Sequence, residues 1–213
     1  QADRPSARVI EFDHIAISGE TLDDTQAHVE DALGVALQAG GAHDVFFTHN
    51  ALLGLEEGLY LEAIAINPDA PRPERPRWFD LDRFSGGPRL TNWICRTQDL
   101  GASLQLLPDD MGAPVELQRG DLRWRMAVPQ SGILPFDNCA PALIEWQTKT
   151  HPATRLKSSG VTLRRLTISH PAGQVLADML SPLWCDDRVE IEEGEMGLNA
   201  VFDTPHGRRQ ISG

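Results

Sequence analysis

The order in which strand and helix patterns follow one another constrains this chain more than any single motif does. Val9 to Ser18 (VIEFDHIAIS) is rich in β-branched residues and alternates in part, which reads as a strand. Thr21 opens a helix with Asp24 as its capping partner, and Leu22, Val29, Ala32 and Leu33 form an apolar stripe that ends at Gly34. Strand patterns follow over Leu37 to Phe47, Thr48 to Leu55 and Leu59 to Ile66, the last two joined by the turn Glu56-Glu57-Gly58. The stretch Asn67 to Pro88 then gathers five of the 15 prolines, with Arg77 to Phe84 as a turn or two of helix inside it. After this excursion the same order resumes: a strand at Arg89 to Thr97, a short helix capped by Asp99, and strands at Val115 to Leu117, Leu122 to Val128 and Pro141 to Thr148. Few residues match when the halves are aligned, so the repeat is one of structure.

The expectation is an α+β fold of two tandem βαβββ modules, residues 9–66 and 89–150, separated by the Pro-rich excursion 67–88. A partial third unit of βαββ type, residues 161–212, packs with them as one domain. Its helix, Ala172 to Ser181, lies between a strand at Val161 to Ser169 and strands at Arg188 to Glu193 and Leu198 to Phe202, with Gly207 to Ile211 as a further candidate.

Composition narrows the function classes. Thirty-one acidic residues against 19 basic ones give a net charge of −12. Such a surface repels phosphate backbones and anionic lipid, so neither nucleic acid nor membrane is an expected partner. No apolar run reaches the roughly 18 residues of a membrane-spanning helix, and QADRPSARVIEF lacks the apolar core of a signal peptide. Cys95, Cys139 and Cys185 form no CxxC pair, which suits reduced thiols and a cytoplasmic location. A P-loop, a GxGxxG turn and a GxSxG elbow are all missing, which disfavours nucleotide hydrolysis, Rossmann redox chemistry and serine hydrolysis.

Tandem βαβββ modules with Asp13-His14 in the opening strand, Gly40-Gly41-Ala42-His43, Thr48-His49-Asn50, Tyr60-Leu61-Glu62, Ile144-Glu145-Trp146 and His151-Pro152-Ala153 resemble the glyoxalase-like branch of the vicinal oxygen chelate superfamily. The resemblance implies that each module curls into a half-barrel and that the pair encloses a metal and substrate pocket, with ligands from the first and fourth strands. Carried over by position, it makes His14, Glu62 and Glu145 the metal ligands and puts Asn92 where a second histidine is expected. An amide is a weaker ligand than imidazole for Zn, Ni or Fe and suits Mn better, so the implied cofactor is a divalent metal whose identity stays open. His49 is a candidate replacement imidazole.

The residues carry their own argument. Glu62 lies in the apolar strand LYLEAIAI, and burying an unpartnered carboxylate costs several kcal/mol. Alternation puts it with Tyr60 and Ile64, and puts Glu145 with Leu143 and Gln147. Two pocket carboxylates make Glu62 and Glu145 candidate catalytic bases for a proton next to a carbonyl, with His49, Asn92, Tyr60 and Gln147 lining the substrate pocket. Alternation also pairs His14 with Phe12 and Ala16, apart from Asp13. It sets Trp93 and Trp146 behind the pocket as core, while Trp124 and Phe136 are candidate walls. The expected function is lyase or isomerase chemistry of the glyoxalase kind on a small molecule with vicinal oxygens. The alternative is a metal-free protein that sequesters a small ligand. A homodimer through the third unit is a further expectation.

Overall fold

The two β-α-β-β-β patterns fold as two copies of one strand arrangement. The computed structural model describes residues 9–213. The first copy contains β1 (Ile10–Ser18), α1 (Leu22–Leu33), β2 (Gln38–Ala42), β3 (Thr48–Leu55) and β4 (Leu59–Ile66). The second contains β5 (Arg89–Thr97), α2 (Leu100–Leu104), β6 (Ala113–Arg119), β7 (Leu122–Val128) and β8 (Ala142–Trp146). They share an eight-stranded sheet ordered β2-β3-β4-β1-β5-β8-β7-β6. In each copy the first strand pairs parallel with the fourth, and antiparallel β1 and β5 join the halves. The sheet curls far enough for Arg119, on β6 at one end, to hydrogen-bond Asn50 on β3 near the other.

The local signals work as the chemistry requires. The Thr21 hydroxyl accepts from the Asp24 amide, and Gly34 ends α1 at φ 72°, a left-handed conformation that glycine adopts without a Cβ penalty. The Asp99 carboxylate accepts from the Ala102 amide at the start of α2. Inside the excursion the expected helix is a 3-10 segment, Trp78–Arg83, broken by left-handed Phe79 and Asp80.

The last part forms its own four-stranded sheet: β9 (Thr162–His170), α3 (Gly173–Leu180), β10 (Val189–Glu193), β11 (Gly197–Thr204) and β12 (Gly207–Ser212). Its order, β10-β9-β11-β12, differs from that of the modules, because its first strand pairs parallel with its second. This sheet and the helices cover the convex face of the large sheet, where Ile15, Ile17, Leu61, Trp93, Leu143, Leu166 and Phe202 form one core. The concave face has a separate core in which the aromatics Phe46, Trp78, Phe79 and Trp124 pack with Ile144 and other aliphatic side chains. No helix among the described residues is long and apolar enough to cross a membrane.

Candidate functional site

β1 breaks its alternation where it carries Asp13 and His14. Opposite β5, Phe12 pairs with Cys95 and His14 with the next residue back, Ile94, so β1 holds one extra residue. A bulge of this kind lets consecutive side chains share a face. Phe12 joins Ile15 and Ile17 in the convex core, while Asp13 Oδ2 comes to 2.6 Å from His14 Nδ1.

Asp13 is fully buried and surrounded by donors. It accepts from His14, from His151 Nε2 at 2.6 Å and from Trp146 Nε1 at 3.2 Å, with Arg96 at 3.5 Å. Burial alone would raise its pKa. The hydrogen bonds and charges of the two imidazoles outweigh that and hold the carboxyl well below its usual range. Asp13 is therefore an acceptor, and His14 Nδ1 carries a proton. In neutral His14 the lone pair falls on Nε2, which faces Glu62 Oε1 at 3.8 Å. Tyr60 stacks on the His14 ring with centroids 4.3 Å apart and fixes its plane. The Tyr60 phenol is itself pushed above its ordinary pKa by burial and by the negative charges of Asp13 and Glu62.

The row continues through an amide. Asn50 Nδ2 donates to Glu62 Oε2 at 2.6 Å, and Asn50 Oδ1 accepts from the Gly41 amide at 2.9 Å and from Arg119 at 3.1 Å. These partners fix which end of the amide is which. The Gly40-Gly41 pair makes the approach possible: a Cβ on Gly40 would overlap Asn50 Oδ1, and one on Gly41 would press on Arg119 Cδ. His43 sits beside the row, with Nδ1 2.8 Å from Thr48 Oγ1 and Nε2 3.5 Å from Asn50 Nδ2. Burial pushes its pKa down to about 3, and the Arg119 charge adds to the effect, so His43 is neutral at physiological pH.

His14, Tyr60, Glu62, Asn50, His43 and Arg119 line a cavity of about 30 Å³ walled by Trp78, Trp124, Trp146 and Met126. That is room for about two water-sized groups. Trp146 also borders an open cleft of about 660 Å³, onto which His151 faces.

Of the residues expected from the sequence, His14, Glu62 and Tyr60 converge on the cavity. The other four lie elsewhere. Glu145 shares the Leu143 face as expected, but that face is the convex one. Its carboxylate binds Arg125 at 2.7 Å and accepts from the Leu100 amide at the start of α2. Gln147 is exposed beyond β8. His49 is the β3 neighbour of Asn50 and points to the opposite face, so Asn50 takes the pocket position. Asn92 is fully buried under the loop that carries Asn138, whose amide donates to its Oδ1 at 3.4 Å. Trp146, expected in the back core, walls the cavity as Trp124 does, whereas Phe136 packs with the convex core. Asn50, His43 and Arg119 are cavity residues that the sequence did not place in the pocket, although His43 and Asn50 lie in stretches that carried the resemblance.

Residues 12–184 match the family described as the glyoxalase-like domain. The chain belongs to this family. No curated protein matches it. Among solved structures, a hypothetical protein from Staphylococcus aureus is 14 % identical with a TM-score of 0.59, covering 88 % of this chain and 87 % of that one. Methylmalonyl-CoA epimerase from Mycobacterium tuberculosis is 19 % identical with a TM-score of 0.45, covering 71 % and 97 %. At 14 % identity the likeness to the Staphylococcus aureus protein is one of fold.

The glyoxalase-like resemblance implies a divalent ion, and the donor set here does not fit one. His14 Nε2 and Glu62 Oε1 are the only expected ligands that converge. The other Glu62 oxygen is taken by Asn50, and β8 presents Ile144 and Trp146 where the second module's ligand belongs. Arg119 adds a positive charge to the same wall. Among the described residues no three or more His, Cys, Asp or Glu side chains are placed to hold a metal.

Proposed function

We propose that this glyoxalase-like chain is an enzyme that moves a proton on a carbon next to a carbonyl in a small molecule. The observation that carries the reading is the Asp13-His14-Glu62 row, with a buried carboxylate behind the imidazole and the cavity in front. His14 Nε2 takes the proton from carbon, the C–H electron pair enters the new C=C bond, and the carbonyl π pair moves onto oxygen as an enolate. Asp13 holds the ring orientation and stabilises the imidazolium, as Glu62 does from the cavity side. Asn50 and Arg119 sit at the far end of the row. Return of the proton to the same carbon completes an exchange; where that carbon carries a hydroxyl, the hydroxyl proton passes to the enolate oxygen and the returning proton goes to the former carbonyl carbon, an isomerisation with no net change in oxidation state. The aromatic wall of Trp78, Trp124 and Trp146 supports a second reading, a sequestering protein that binds a flat ligand without turnover.

The test is deuterium exchange from solvent, followed by proton NMR, with hydroxyacetone, methylglyoxal and pyruvate. Wild type is expected to exchange at least one of them, and His14→Gln to lose about 10²-fold or more of that rate. Equal rates in the two proteins would sink the acid–base reading. Stoichiometric binding with no exchange would leave the sequestering one.

A further inference from the structure

Arg119 stands out among the cavity residues because its charge is not spent. It is half-buried on β6, its side chain lines the cavity, and among the described residues no carboxylate pairs with it. Among the described residues its hydrogen-bond partner is the Asn50 amide oxygen at 3.1 Å. The same amide's nitrogen donates to Glu62, so Asn50 stands between cation and carboxylate and keeps them from closing on each other. The two glycines that clear space for Asn50 and Arg119 serve this one contact. A half-buried guanidinium held by a neutral oxygen keeps donors free for an anion, in the fork geometry that suits a carboxylate.

We propose that the ligand is a small carboxylate with an adjacent oxygen, a 2-oxo or 2-hydroxy acid. Its carboxylate binds Arg119 and its second oxygen lies toward Asn50. This rests on the acid–base reading of the cavity and adds the ligand class. The free space of only about 30 Å³ restricts the acid to the smallest members of the class and requires the surrounding side chains to give way as it binds. Arg119 then supplies positive charge to the same cavity wall, at the far end of the row from His14.

Oxalate, a two-carbon acid with vicinal oxygens, is the probe, titrated by isothermal calorimetry into wild type, Arg119→Lys, Arg119→Gln and Arg123→Gln. Arg123 is exposed on the neighbouring strand and outside the cavity. Wild type and Arg123→Gln are expected to bind equally. Arg119→Gln should lose about 30-fold or more in affinity, the loss seen when one partner of a desolvated charge pair is truncated. Arg119→Lys should lose less, because the charge survives without the fork. A thermal melt of each variant separates a fold defect from a binding defect. No oxalate binding to wild type, or equal binding by folded Arg119→Gln, overturns the proposal. The two readings fail separately. Arg119-dependent oxalate binding without deuterium exchange keeps the ligand class and ends the proton-transfer reading. Exchange of hydroxyacetone without oxalate binding does the reverse.

Discussion

β4 and β8 hold the same place in their modules, and each carries one glutamate in an apolar run, yet the two glutamates do opposite things. In β4, Tyr60 and Glu62 face the cavity while Leu59, Leu61 and Ala63 face the convex core. In β8, Ile144 and Trp146 face the cavity, and Glu145 turns to the back with Leu143. A shift of one residue moves a carboxylate from one face of a sheet to the other. The first module thus supplies the titratable groups, and the second supplies a hydrophobic wall and one arginine. The pseudo-twofold frame holds a one-sided chemistry.

Exchanging the glutamates' chemistry sharpens the contrast most. Glu62→Gln is expected to lose about tenfold or more of the exchange rate, because the imidazolium loses its cavity-side counter-charge. Glu145→Gln should leave the rate within about twofold and cost roughly 1–2 kcal/mol of stability, from the weakened cap and ion pair, in urea unfolding. A large rate loss in Glu145→Gln would break the comparison. The next effect concerns the adjacent pair on β3. Asn50→Ala should let Arg119 and Glu62 close into an ion pair and cut oxalate affinity about tenfold, whereas His49→Ala, on the other face, should leave it unchanged.

Acid separates two buried groups of the first module. His43 has a folded pKa of about 3 against an ordinary 6.5. The unfolded chain therefore binds its proton first, and the stability it contributes is lost as pH falls from about 6.5 toward 3. Asp13 is also depressed, from 3.8, so its contribution is complete above that value and is lost only at still lower pH. His43→Gln should flatten the stability curve between pH 6 and 4, as measured by urea midpoints, while Asp13→Asn should lower it at neutral pH. The smallest expected effect is that of metal: Mn²⁺, Zn²⁺ or Ni²⁺ should shift the melting temperature by less than about 2 °C, since only His14 and Glu62 converge. A shift that vanished in His14→Gln would restore the ion to this site.

Much of the fold was legible because its signals are local. β3, β4, β5 and β7 fall at Thr48–Leu55, Leu59–Ile66, Arg89–Thr97 and Leu122–Val128, as their alternation and turns indicate. Thr21, Gly34 and Asp99 cap the helices they were expected to cap. The site was half legible. Glu62 and Tyr60 share a face as strand periodicity indicates, and His14 keeps Ala16's side but parts from Phe12 at the bulge; periodicity also cannot say which face of a doubly covered sheet is the inner one, and Glu145 shows the cost. The bulge after Phe12 is invisible in one sequence, so the Asp13-His14 pair was split between faces. Arg119 lies at the far end of the sheet from its partner Asn50, 69 residues apart. Only the closed curl brings them together. The third unit was legible as elements but not as an order, because pairing depends on where each strand docks.

The curl also has a mechanical consequence. β2 and β6 are the two free ends of the eight-stranded sheet and share no backbone ladder. Among the described hydrogen bonds, the one from Arg119 to Asn50 closes the gap between β6 and the β2-β3 edge. Spreading the mouth there strains no strand pairing; it gives up one hydrogen bond to a charged group, roughly 1.5–3 kcal/mol, and loosens the apolar packing of Leu117 with Phe46. An arriving carboxylate replaces that bond as it enters. The guanidinium that spans this edge is also the donor proposed for the anion, so edge contact and ligand draw on one side chain.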